Sequence, residues 1–170
     1  MPVLAAKRGL TIFVCALVAV GAYFAVRGTT RPAPDVTFVS LEGEKISTTA
    51  LRGKVAIVNF WATDCVPCRK EMPQLAQTYA RYRSQGLEVI AVAMRHDPPN
   101  YVMSYAERNR LPFKVALDPM GELARAFGDI QTTPTLVVID KRGRILEQVQ
   151  GEPDFDALRR LLERKLAETA

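Results

Sequence analysis

Short continuous apolar runs alternate along this chain with stretches whose apolar residues recur at helical spacing. Val55-Ala56-Ile57-Val58-Asn59-Phe60-Trp61 is β-branched and aromatic throughout and predicts a buried strand. The stretch from Cys65 to about Ser84 places Leu75, Ala76, Tyr79 and Tyr82 on one face, which predicts an amphipathic helix. Pro67 falls in its first turn, Pro73 should kink it, and Gly86 should end it. Leu87 to Ala93 predicts a second buried strand, followed by a polar loop from Arg95 to Asn100 and a helix over about 101–109. Phe113 to Leu117 reads as a short strand stopped at Asp118-Pro119, and Glu122 to Phe127 as a short helix closed by Gly128. Thr135–Ile139 and Arg144–Gln150 form a predicted hairpin about Asp140-Lys141-Arg142-Gly143. Asp154 caps a last helix reaching about Ala167, with Leu158, Leu161, Leu162 and Leu166 inward. Upstream, Thr37–Leu41 and Lys45–Ser47 pair across a turn at Glu42-Gly43. Strands alternating with helices, then a hairpin and a helix, predict an α/β sandwich with a mixed central sheet.

The N-terminus has a different pattern. Gly9 to Val26 is an uncharged, mostly apolar run of 18 residues behind Lys7-Arg8, long enough to span a bilayer. The expected organisation is a cytoplasmic N-terminus (1–9), a transmembrane anchor (10–26), a linker stiffened by Pro32 and Pro34 (27–34) and one globular domain (35–170). A cleaved export signal is the alternative, with Val20 and Ala22 a tolerable cleavage context. Cys15 follows Val14, where a lipoprotein signal wants a small residue, so it reads as apolar filler. Lys7, Arg8 and the α-amine face Arg27 and Arg31 across the run, tipping the N-terminus inside. Anchor or signal, the domain is expected outside the cytoplasm.

Charge narrows the function classes. The formal net charge is +5, yet the first 30 residues hold Lys7, Arg8 and Arg27 and no acid. The remaining 20 basic and 18 acidic side chains nearly cancel and are scattered, which argues against a nucleic-acid partner. Of three cysteines, Cys65 and Cys68 alone lie in the expected domain. Structural zinc wants four ligands, and the single His96 cannot complete such a set, so no metal is assigned. Two cysteines about one turn apart at a helix head suit bond exchange: the positive helix end stabilises a thiolate on Cys65.

Asn59-Phe60-Trp61-Ala62-Thr63 before the cysteines, Arg69-Lys70-Glu71-Met72-Pro73 after them and Thr133-Pro134-Thr135 before a strand resemble the thioredoxin superfamily. More narrowly, the chain resembles the membrane-anchored TlpA/ResA-type thiol–disulfide oxidoreductases, relatives of the CcmG/DsbE proteins, over about residues 35–168. The resemblance implies a thioredoxin-like sandwich, a mixed sheet flanked by helices, with an N-terminal hairpin and extra strand–helix material between Leu87 and Gly121. It implies a site of Cys65, Cys68, Glu71 and a cis Pro134, with Trp61, Asp64, Val66, Pro67 and Thr133 toward the client and no cofactor. Cys65 would attack a client disulfide and Cys68 resolve the mixed disulfide. Thr133 would offer its backbone for strand-like pairing with the client. Implied clients are apocytochrome c or a copper-site protein, with a transmembrane thiol relay as electron donor. The implied location is the inner (cytoplasmic) membrane, single-pass, with the catalytic domain facing the periplasm or its extracytoplasmic equivalent.

Two residues depart from that pattern. Asp64 stands where these families usually carry Trp; its carboxylate either opposes a Cys65 thiolate and makes the couple more reducing, or turns into solvent toward Arg69 or Lys70. Asn59 stands where thioredoxin has a buried acid, and Glu71 either takes over proton transfer at Cys68 or merely complements the helix N-terminus. Two other classes remain beside the reductase. A copper chaperone would add a soft or imidazole ligand to the thiolates, but the cysteine spacing is two rather than three and His96 sits in a polar loop. A peroxiredoxin-like peroxidase wants a Thr three residues before its cysteine and an earlier Pro; Thr63 is two before Cys65, and 55–64 holds no Pro.

Overall fold

The computed structural model describes residues 30–169. The expected anchor (10–26) and most of the leader lie outside them. No helix among the described residues is long and apolar enough to cross a membrane.

The strands are β1 (Arg31–Pro32), β2 (Thr37–Val39), β3 (Lys45–Ser47), β4 (Val55–Trp61), β5 (Leu87–Ala93), β6 (Lys114–Leu117), β7 (Thr135–Ile139) and β8 (Arg144–Gln150). The helices are α1 (Val66–Tyr82), α2 (Pro99–Asn109), α3 (Glu122–Ala126) and α4 (Phe155–Ala167). Six strands form one sheet in the order β1-β8-β7-β4-β5-β6, and β2 and β3 pair separately. β4, β5 and β6 run parallel, while β7 lies antiparallel to β4 and β8 to β7. This is the thioredoxin-like fold expected from the sequence.

Register decides where chemistry can happen. Trp61 pairs with Ala93, Ala93 with Leu117, and Phe60 with Thr135. The last residues of three parallel strands and the first of β7 therefore share one end of the sheet. In open α/β sheets that end is where ligands bind, because every connecting loop opens there. The head of α1 and the Thr133-Pro134 segment both fall at it.

Strand parity divides the core. Val55, Ile57 and Trp61 face α1, α2 and α4, packing with Met72, Leu75, Val102, Leu158 and Leu162. Ala56, Val58 and Phe60 face the other side, against Phe38, Leu123 and Phe127. All seven β4 residues are buried, which explains the unbroken apolar run. Gly86 ends the α1 region at φ +98°, a left-handed turn that glycine adopts without steric cost. Asp154 accepts from the N–H groups of Asp156 and Ala157 and caps α4.

One boundary differs from expectation. Arg31 and Pro32, assigned to the 27–34 linker, pair with Ile145 and Arg144 as an edge strand. Pro is tolerated there because an edge strand need not donate on its open side. Arg31 also donates to Phe127 O at 3.0 Å and to Gln148 Oε1 at 2.7 Å, tying the entry of the domain to β8 and to the end of α3.

Phe127 is fully buried and meets Phe60 edge-on at 5.5 Å and Phe38 at 6.2 Å. Phe127→Ala should cost about 3–5 kcal/mol, read as a lowered urea midpoint at unchanged slope.

Candidate active site at the head of helix α1

Val66 and Pro67 open α1 immediately after the extended Cys65, so the two cysteines flank its first turn. Their Cα atoms are 5.3 Å apart and the sulfurs are bonded to each other. Cys65 is half-buried and Cys68 has no exposed surface. Cys65 is also the helix N-cap: the Cys68 N–H donates to its Sγ at 3.2 Å. Once the bond is reduced, the same N–H and the helix end favour a thiolate on Cys65. This difference in exposure makes Cys65 the sulfur of the pair that a partner molecule can reach.

The segment before Cys65 is held by a residue that sequence reading did not single out. Asp97, nearly buried, accepts from Thr63 N at 2.6 Å and from Thr63 Oγ1 at 2.5 Å. Arg69 donates to the Thr63 carbonyl at 3.2 Å. Met94 N donates to Trp61 O and Asp97 N to Met94 O, so the turn after β5 is bonded directly to the redox segment. Asp97 precedes Pro98-Pro99 in a polar stretch, and no local signal links it to Thr63.

Beneath Cys68 lies a buried carboxyl. Glu71 is 2% exposed, and its Oε1 accepts from Asn59 Nδ2 at 3.0 Å. Asn59 has the β4 parity that faces α1, so a strand amide and a helix acid meet below the sulfurs. Burial pushes the Glu71 carboxyl up to about 7, against the Asn59 hydrogen bond that lowers it and with the Glu152 charge that raises it. Glu71 Oε2 and Asn59 Oδ1 are both buried acceptors without a hydrogen-bond partner. A proton on Glu71 turns one of them into a donor, which favours the neutral acid in this pocket. One helical turn from Cys68, an acid titrating near neutrality can take or return the proton of that thiol. Glu71 therefore does not act as a surface complement to the helix N-terminus, since it is interior and bonded to the sheet.

The outer residues separate into two groups. Asp64 and Val66 are exposed and Pro67 is half-buried, so all three rim the disulfide. Asp64 faces His96 Nε2 at 3.8 Å rather than Arg69 or Lys70. Trp61, expected to meet the client, is wholly buried and packs on Tyr105 at 5.1 Å, so it supports the loop from below. The Thr133–Pro134 bond is cis, Pro134 is buried and Thr133 is half-exposed. Pro134 O accepts from Gly151 N at 2.8 Å, whereas the Thr133 backbone has no such bond among the described residues. No three His, Cys, Asp or Glu side chains converge as a metal site among the described residues.

This geometry defines a dithiol–disulfide centre on a thioredoxin-like scaffold. Residues 29–162 match the Redoxin family, and the chain belongs to it. It is 34% identical to the thiol-disulfide oxidoreductase ResA of Bacillus thuringiensis subsp. konkukian over 79% of this chain and 76% of that one. The ResA of Halalkalibacterium halodurans is 36% identical over 76% of this chain and 74% of its own length. Among solved structures, a thiol:disulfide interchange protein of the thioredoxin family from Chlorobium tepidum superposes with a TM-score of 0.74 at 30% identity, covering 82% of this chain and 99% of that one. StoA from Bacillus subtilis superposes at 0.64 with 28% identity, over 76% and 98%. The chain is a thiol–disulfide oxidoreductase of the ResA kind.

The Glu71 carboxyl binds its proton more tightly folded than unfolded, so the stability this confers is present below pH 4.5 and lost as pH rises through about 7. Glu71→Gln keeps an acceptor for Asn59 without the charge. It should stabilise the oxidised chain at pH 8 by about 1–3 kcal/mol and flatten its decline between pH 5 and 8, read from urea midpoints.

Proposed function

We propose that this protein is a membrane-tethered reductase, working outside the cytoplasm on the disulfides of client proteins. The observation that carries the reading is the asymmetry of the pair: a half-exposed Cys65 in front, and a buried Cys68 beside an acid poised near neutral pH. In the reduced protein the Cys65 thiolate attacks one sulfur of a client disulfide. The other client sulfur leaves as a thiolate and takes a proton from water. Cys68 then passes its proton to the Glu71 carboxylate and attacks Cys65 Sγ, and the second client thiolate departs. Two electrons have moved to the client, and Cys65–Cys68 is left as the disulfide seen here.

Direction is argued from Asp64 and from location. An exposed carboxylate next to Cys65 disfavours its thiolate, so the reduced form is less stabilised and the couple more reducing. The apolar run at Gly9 to Val26 supports a tether with the domain on the extracytoplasmic side. That compartment is oxidising, so a reductase there needs reducing power delivered across the membrane by a thiol relay. Cysteines of apocytochrome c awaiting haem, or those of a copper site, are client classes that must be kept reduced against such an environment.

Two experiments test this. Cys68→Ser in the full chain, expressed in the source cells, should accumulate a Cys65 mixed disulfide whose partner mass spectrometry identifies. Recovery of none, or labelling of Cys65 only by reagents that reach the cytosol, would overturn the reading. Asp64→Trp should shift the reduction potential to less negative values by on the order of 10–30 mV, measured against a glutathione redox buffer. An unchanged potential removes Asp64 as the source of reducing character.

A further inference from the structure

The redox end of the sheet carries a second feature, on the α3 side. A cavity of about 200 Å³ opens between the turn after β5, the start of α3 and the segment leading to Thr133. Arg95 and Arg125 both line it, and both reach over Gly121. A Cβ on Gly121 would stand 3.3 Å from Arg95 Cδ and 3.5 Å from Arg125 Nη1, so both side chains lie close over this glycine. Gly121 also sits at φ +67°, which disfavours other residues there. Among the described residues, the arginines in ion pairs are Arg81, Arg144 and Arg159, not these two. The one carboxylate in the wall, Asp129, is held by Gln131 Nε2 at 2.7 Å. Two guanidiniums thus share a small concave site with no counter-charge bonded to either among the described residues.

Its position relates it to the disulfide. Arg95 lies between Met94, bonded to Trp61 O, and His96, which faces Asp64 beside Cys65. Gln131, which also lines the cavity, is two residues before Thr133, whose backbone is open to an incoming strand. An extended segment paired there advances about 3.3 Å per residue, so a side chain two or three residues from the reacting cysteine arrives at the cavity. Guanidiniums bind carboxylates through paired N–H donors, and a site this size suits one Asp or Glu side chain.

We propose that the Arg95–Arg125 cavity is a specificity site that receives an acidic side chain lying two or three residues from the reactive cysteine of a partner protein. The proposal rests on the reading of Cys65–Cys68 as a client-directed oxidoreductase, and adds which clients it prefers. Partners with Asp or Glu flanking the cysteine are engaged faster, and basic flanks are rejected by charge.

The test uses the reduced full-length chain and three synthetic peptides, each with one Cys-x-x-Cys disulfide flanked by Glu, Gln or Lys. The single tryptophan, Trp61, reports oxidation of the neighbouring pair by its fluorescence. Rates should rank Glu above Gln above Lys, with about a fivefold Glu-to-Gln ratio at low salt that shrinks at 0.5 M salt. The ratio should fall to about one in the Arg95→Gln/Arg125→Gln double variant. It should persist in Arg83→Gln, which removes a positive charge from the opposite end of the sheet. Equal rates on all three peptides in the unmodified chain would overturn the site while leaving the redox function standing, as would a ratio that survives the double substitution. Failure to oxidise on any peptide would instead overturn the oxidoreductase reading on which the site depends.

Discussion

The hydrogen bond from Asn59 to Glu71 joins the central strand to the redox helix in a place that water does not reach. Residues on α1 one turn from Cys68 could have been apolar, as Met72 and Leu75 are. The chain instead buries a carboxyl there and offers it one amide donor from β4, leaving one oxygen on each partner unsatisfied. A fully satisfied pair would hold a permanent anion, and an apolar pair would hold no proton at all. Burial, only partly opposed by the Asn59 hydrogen bond, raises the acid to about 7, where it can take or return a proton at neutral pH. Burying that acid costs stability locally, and it lies beside the core that β4, α1 and α4 share.

The rest of the site is arranged around that constraint. Pairing between β4 and β7 brings the cis Thr133–Pro134 segment level with the end of β4, and Asp97 pins Thr63 through two hydrogen bonds. The Cys65 segment is thus fixed from the neighbouring parallel strand, while Cys65 itself stays accessible at the rim. Trp61 carries the same logic. Although adjacent to the redox segment in sequence, it lies underneath, against Tyr105, and gives the segment a floor. Around the disulfide, Asp64 and Val66 are exposed and Pro67 and Thr133 partly so.

Much of the fold was legible because its signals are local. The strands β4, β5 and β7 begin and end where their apolar runs do, β8 follows the turn at 140–143, and α4 starts at the Asp154 cap read from sequence. The cysteine spacing and Pro67 placed the reactive pair at a helix head without any knowledge of the tertiary fold. The linker misjudged Arg31 and Pro32 because a two-residue edge strand has no periodicity to detect, and its partner β8 is more than 100 residues away. Asp64 was read against its helix neighbours, yet its partner His96 arrives from another loop.

Sequence alone determined which residues could do the chemistry: two sulfurs at one helix head, one acid a turn later, one proline before a buried strand. Those are matters of composition and short spacing, and helix and strand periods are set by backbone geometry. Only the tertiary structure decided which of them act together. Glu71 is raised toward neutrality because the core around it strips its water. Asp97 becomes a clamp because β5 lies beside β4, and Arg95 reaches the cavity that Arg125 also lines because β6 brings Gly121 to the same end of the sheet. Each depends on contacts between residues 12 or more apart in the chain, which strand register and packing specify and no local pattern encodes.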